Sequence, residues 1–288
     1  SRQHRPQHNM KQLFATTIAL CLCSAAFAQN GDDAGQQSLW EFQVVGFAQS
    51  FPAYPSSADQ NLTILPLPFP VYRGKFLRFG EDLENLARGK ILDSERINFS
   101  VGVSASFPED SNKLDRRQGM PDLDFLLEAG PELKILLAGT PDEDRELNLS
   151  LQLRAAATLD GLDTKGRGII FNPELEYRVR NFMSPRNELR FRASSTWASD
   201  KYMDYFYGVA AEFATPDRPL FEANAGYLNT ELLLGLNRKI SERLEFRGSL
   251  RLWVNKGAEN NTSPLFQRDY DTGIRLALYW TAWQSKPR

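Results

Sequence analysis

The chain has 288 residues, of which 42% are hydrophobic and 24% charged, with 36 acidic against 34 basic side chains and a net charge of −2. This balance excludes a nucleic-acid binder working through a basic surface. Mean hydropathy is −0.43, and no run of about 18 apolar residues follows the leader, which excludes a transmembrane helix.

Residues 1–9, "SRQHRPQHN", precede Met10 and read as an upstream extension or expression remnant. Residues 10–28 place Lys11 before an apolar stretch and end on Ala26-Phe27-Ala28. That is the pattern of a secretory signal peptide cut before Gln29. Cys21 and Cys23 lie in this leader, and His4 and His8 precede it. The expected mature chain therefore lacks both residue types, which removes disulfides, thiol chemistry and cysteine metal sites. No cofactor is expected. Of the 34 basic residues, Arg2, Arg5 and Lys11 fall before Gln29, leaving 31 against 36 acidic.

From residue 29 to 288 the dominant signal is alternation. Strands are predicted over 39–49, 61–72, 75–80, 85–92, 95–107, 122–138, 146–159, 167–180, 188–198, 222–240, 242–255 and 269–281. In "INFSVGVSASF" Ile97, Phe99, Val101, Val103, Ala105 and Phe107 share one face, opposite Asn98, Ser100, Gly102, Ser104 and Ser106. "LNLSLQLRAAATL" (147–159) and "LEFRGSLRLWV" (244–254) alternate in the same way. Ordinary strands run roughly 5–6 residues, whereas a tilted membrane strand needs about 9–11. Period and length together predict an all-β fold: a transmembrane antiparallel up-and-down β-barrel of about twelve strands, integral to the outer membrane of a Gram-negative bacterium and embedded in its lipid.

The connections alternate too. Short polar turns fall near 73–74, 93–95, 139–145, 181–187 and 241–243. Longer Pro/Gly/Asp/Asn-rich stretches fall near 50–60, 108–121, 160–166, 199–221 and 256–268. The short side is expected to be periplasmic. There "TPDEDRE" (140–146) would present an acidic turn.

The second strand contains "LPLPFPVYRG" (65–74). Proline cannot donate a backbone hydrogen bond. N–H groups at i and i+2 point toward the same neighbour. Pro66, Pro68 and Pro70 should therefore lose donors on one side only, giving a weakened seam where a partner's strand could add. Leu65, Leu67, Phe69 and Val71 are expected on the lipid face. At the other end of the chain, "DTGIRLALYW" (271–280) resembles the C-terminal signal read by the barrel assembly machinery.

The inward faces carry mixed charge. Arg154, Arg178, Arg180, Arg190, Arg192, Arg247, Arg251 and Arg275 are opposed by Glu174, Glu176, Glu188 and Glu245. Two readings stand: a narrow lumen filled by paired charges, or a small anion-leaning pore. Burying these groups unpaired would be costly, so pairing is expected. Asp122 with Asp124, and Glu174 with Glu176, put two carboxylates on one face, and an ion-pair network is preferred over catalysis. Barrel lipases, deacylases and proteases of the usual kinds need a histidine, which the mature chain lacks. "WASDKYMDYFYGV" (197–209) joins aromatic and acidic residues: a binding loop for sugars, cations or partners, or an aromatic girdle with a solvated tip.

"FPAYPSSADQNLTILPLPFPVYRGKFLR" (51–78), "WASDKYMDYFYGV" followed by "FEANAG" (221–226), and "NTSPLF" (261–266) together resemble the MipA/OmpV family of outer-membrane proteins. The departures are Asn261-Thr262 where an acid usually precedes Ser-Pro, and fewer glycines in the first strands. The resemblance implies a non-catalytic barrel scaffolding a lytic murein transglycosylase and a bifunctional murein synthase. Other members are adhesins or porin-like proteins, so a narrow channel or adhesin is the alternative. A carboxylate-only barrel enzyme is the second.

Overall fold

A computed structural model describes residues 38–80, 83, 86–140, 143–160 and 163–286. The expected leader and upstream extension lie outside the described residues. The strands are β1 Trp40–Pro52, β2 Gln60–Arg73, β3 Leu77–Phe79, β4 Ala87–Asp93, β5 Ile97–Ser106, β6 Phe125–Ala138, β7 Arg145–Asp160, β8 Asp163–Arg180, β9 Asn187–Ala198, β10 Gly226–Ser241, β11 Leu244–Val254 and β12 Tyr270–Gln284. One helix, α1 Asp200–Tyr207, sits between β9 and β10. Each strand pairs with its sequence neighbours, and β12 returns to β1, closing the barrel.

The polarity is inverted relative to a water-soluble core. Along β7, Glu146, Asn148, Ser150 and Gln152 are buried, while Leu153 is 48% exposed. On β8, Glu176 is 8% exposed while its neighbours Leu175 and Tyr177 face outward. On these strands polar residues line the inside and apolar ones coat the outside, the pattern of a lipid-embedded barrel. Aromatic clusters mark both edges of the apolar band. Trp40 packs on Tyr72 and Phe79 at the short-turn end. Phe171, Trp197 and Tyr227 form a row at the other.

Two expectations fail here. The longer connection expected at 160–166 is strand instead, and only 161–162 separate β7 from β8. Its glycines serve a bulge: the register shifts between Ala156 and Ala157 opposite Gly166 and Gly168, and Gly168 has φ +100, a conformation open to glycine at little cost.

The second failure is on β2. Leu67 and Phe69 pack with Val45, Phe47, Ala277 and Tyr279 inside the barrel, and Val71 is fully buried. Leu65 shares their face by alternation, whereas Leu62, Ile64 and the three prolines face outward. The lipid-face expectation for Leu65, Leu67, Phe69 and Val71 is therefore wrong. The stretch is apolar on both faces, so alternation alone could not tell inside from outside.

The β1–β2 register is unbroken from Trp40↔Tyr72 to Pro52↔Gln60. Because proline cannot donate, an unbroken ladder requires Leu65, Leu67, Phe69 and Val71 to exchange bonds with β1. The missing donors of Pro66, Pro68 and Pro70 thus fall on the other edge. There the ladder to β3 consists of Tyr72↔Phe79 and Arg73↔Arg78, and it ends before Pro70.

Candidate functional site: a capped, charged lumen

Four connections on the long-loop side fold together over the mouth of the barrel. Tyr54 from the first, Leu114, Met120 and Leu123 from the β5–β6 loop, α1, and Leu265 from the last loop form one buried cluster. Helix α1 is anchored at its start. Ser199 O accepts from the N–H groups of Tyr202 and Met203, and Ser199 Oγ accepts from Ile169 N at 3.0 Å. A Cβ on Gly168 would lie 2.1 Å from that hydroxyl, so glycine is needed for this contact as well as for its φ.

The tyrosines of "WASDKYMDYFYGV" point inward, not into a membrane girdle or a solvated tip as one reading had it. Tyr202 donates to Glu128 Oε1 at 3.0 Å, Tyr205 to Asp124 O at 3.2 Å and Tyr207 to Pro55 O at 3.1 Å. Helical spacing, which reading this stretch as a loop could not anticipate, turns Tyr202, Met203, Phe206 and Tyr207 into the mouth together. Burial pushes the Tyr54 and Tyr205 hydroxyls up to about 12. It also raises Tyr207 and, with the Glu128 charge beside it, Tyr202. Arg117 is buried beneath them and donates to Phe206 O, Ser111 Oγ and Pro121 O. Its burial lowers the guanidinium from its ordinary range. The Asp122 and Asp124 carboxylates are apart in role. Asp122 accepts from Ser111 N at 2.8 Å, and Asp124 lies 3.8 Å from Arg167.

Below the cap the lumen is a cavity of about 650 Å³ lined by charged side chains. Arg192 reaches Glu231 at 2.9 Å and Glu174 at 3.6 Å. Arg251 meets the same Glu231 at 3.1 Å. Arg178 pairs with Glu176 at 2.8 Å and lies 3.9 Å from Glu188. Arg154 lies 3.7 Å from Glu128 and Arg247 2.7 Å from Glu245. Arg190 lines the same cavity, and Arg275 donates to Gln49 at 2.9 Å nearer the mouth. Glu174 and Glu176 share the inward face, each against its own arginine rather than against one another.

Arg88, Glu128, Glu132, Lys134 and Glu231 also line this lumen, and sequence reasoning passed over them. Glu231 and Glu132 were legible by parity: each sits at an inward position of an alternating strand. Arg88 lies in the short β3–β4 hairpin, where alternation is too brief to read.

At the short-turn rim, the acidic turn is pinned to its neighbour. Arg180 bonds Glu146 at 2.6 Å and Glu143 O at 2.8 Å, and Asn181 Nδ2 donates to Asp144 at 2.6 Å. Two apolar side chains on this rim stay open: Met183 at 89% exposure and Phe76 at 78%.

A family model described as MltA-interacting protein MipA matches residues 44–282. No curated protein matches. Among solved structures the fold is similar to a NanC porin, with 8% identity, coverage of 83% of this chain and 99% of that one, and a TM-score of 0.41. An outer-membrane channel from Pseudomonas putida F1 has 11% identity, coverage of 88% and 100%, and a TM-score of 0.44. An active-site mutant of outer membrane phospholipase A from Escherichia coli has 9% identity, coverage of 88% and 95%, and a TM-score of 0.36.

Proposed function

The chain belongs to the MipA family and is an integral outer-membrane β-barrel, and on that premise we propose that it is a non-enzymatic scaffold. It holds murein-remodelling enzymes, a lytic transglycosylase and a bifunctional synthase, at the periplasmic rim. The family match, whose description names a murein-enzyme partner, carries this reading. The geometry agrees with it at three places. The described residues contain no histidine or cysteine. The carboxylates Glu174 and Glu176 are each matched by arginine, as in a structural network. The rim combines Asp144 and Glu146, held by Asn181 and Arg180, with Met183 and Phe76, the kind of exposed apolar anchor that protein interfaces bury.

Affinity capture from detergent-solubilised envelopes tests it. Wild-type protein should retain a murein transglycosylase, and the Met183→Glu/Phe76→Glu double variant should retain much less while still running as a heat-modifiable barrel. Equal retention moves the contact off this rim. No murein enzyme in either eluate removes the scaffold reading.

The charged cavity of about 650 Å³ favours a second reading, a narrow ion pathway. Steady conductance of the intact protein in planar bilayers would support it.

A further inference from the structure

The pairing of charges in the lumen is lopsided. Among the described residues, the carboxylates lining the cavity are Glu128, Glu132, Glu174, Glu176, Glu188 and Glu231. Each lies within 3.9 Å of a guanidinium. Two cations of the same lining have no such partner. Lys134 on β6 and Arg190 on β9 make no ion pair and no hydrogen bond to any described residue.

The surplus is gathered on one stretch of wall. Arg190 stands directly across the ladder from Arg178, and like charges facing one another on a sheet repel. Lys134 is close enough to act electrostatically with both Arg178 and Glu176, and Arg190 acts on the same Glu176. That carboxylate, on a strand between theirs, is already held by Arg178 at 2.8 Å. The Nε atoms of Arg178 and Arg190 are buried with no acceptor in hydrogen-bond range. Here the lumen has donors and positive charge in excess and is short of acceptors.

A network serving stability alone would match its charges, because an unmatched cation taken out of bulk water is costly. Water in the lumen can accept hydrogen bonds, but it does not neutralise charge. An oxyanion does both, and arginine and lysine are the side chains that bind one most strongly. The cavity of about 650 Å³ lies within the range of small-molecule sites. Ser150, Asn172, Ser194 and Asn237 also line it, and their hydroxyls and amides suit a solute that carries hydroxyl groups.

We propose that the lumen holds a small hydroxylated organic anion, whose carboxylate or phosphate is bound by Lys134 and Arg190 together with Arg178. The bound anion brings the lining back toward neutrality. The site lies inside the barrel, so it stands or falls independently of any contact at the periplasmic rim.

The test is isothermal titration calorimetry on the intact protein in a neutral detergent at low salt. Gluconate and glycerophosphate are the probes, with glucose and glycerol as their neutral controls. At least one of the anions should bind saturably, and neither control should. The tighter anion says whether the site is shaped for a carboxylate or for a phosphate. Lys134→Met and Arg190→Met should each weaken that anion about tenfold or more. Neither should lower the urea midpoint, since no carboxylate loses an ion-pair partner. Arg192→Met, which strands Glu174, should lower it. Where a variant fails to assemble, reductive methylation of the wild-type protein decides: Lys134 should be modified in glucose and protected in the anion. Absence of saturable anion binding overturns the proposal, as does equal binding of the neutral controls or an affinity unchanged in both variants. A midpoint lowered in Lys134→Met and Arg190→Met as far as in Arg192→Met would make these cations structural and overturn it too.

Discussion

Leu151 and Gln152 are adjacent in β7 and face opposite solvents. Gln152 is buried in the lumen, across the ladder from Glu132, and Leu151 lies on the lipid side. Arginine at Leu151 should cost about 2–4 kcal/mol near the midplane. Arginine at Gln152 stays in the charge-lined lumen beside Glu132, which Arg88 already meets at 3.4 Å, and should cost clearly less than at Leu151. Urea unfolding in vesicles reads both, and equal costs would contradict the assigned faces. The cap tyrosines make a second residue-scale prediction. Burial raises Tyr54 and Tyr205 from the ordinary 10.0 to about 12. A hydroxyl whose folded value lies above its unfolded one contributes stability that is intact below pH 10 and lost as pH climbs to 12. Ultraviolet titration of tyrosinate should therefore show a late class, and the cap should loosen over this interval while the β-sheet circular dichroism persists. All tyrosines ionising together near pH 10 would refute it. Inward polar positions such as Arg154 and Glu176 were legible because β7 and β8 alternate without a break from Arg145 to Ala156 and from Gly168 to Arg180. The inward turn of Tyr202 and Tyr207 was not, because it depends on a helix of two turns nucleated by Ser199 and Gly168, residues with no periodic signal.

At the scale of elements, long strands were legible and short or doubly apolar ones were not. β7, β8 and β11 combine length with alternation, which leaves a membrane strand as the one consistent reading. β3 has three residues, too few to display a period. β2 is apolar on both faces, so alternation pointed Leu67, Phe69 and Val71 the wrong way, toward lipid instead of the interior. The structure also reverses what a proline replacement should do. A seam weakened by missing bonds would gain from threonine. On this edge the described structure offers Pro66 and Pro68 no ladder, so Pro66→Thr/Pro68→Thr adds amides without acceptors. Each such amide costs about 1–3 kcal/mol, and lipid supplies no substitute. The double variant should unfold at lower urea and yield less heat-modifiable barrel. Higher stability in the isolated protein would mean that a strand pairs there after all.

At the scale of the whole barrel, the described residues form a tube whose long-loop mouth is covered by its own loops and whose interior below remains charged and partly open. The interior carries about 650 Å³ lined by paired ions, whereas the mouth is filled by the hydrophobic cluster around Met203, Tyr207 and Leu265. The barrier to ions is therefore the cap, where a passing charge would meet apolar side chains and buried hydroxyls, rather than the lumen, where it would meet alternating arginine and glutamate. The cap is also separable from the wall. β9 and β10 pair from Gly226↔Ala198 to Arg238↔Asn187 without help from the intervening loop, so replacing Asp200–Phe221 by a short Gly/Ser linker should leave a closed, heat-modifiable barrel. In planar bilayers the intact protein should pass little current, and the trimmed protein should conduct steadily. Because the lumen carries both signs of charge, its ion preference should be weak and should fade further in high salt, where exposed charges are screened. Strong conductance by the intact chain, unchanged on trimming, would show that the loops do not seal the mouth. The narrow-pore reading would then displace the scaffold.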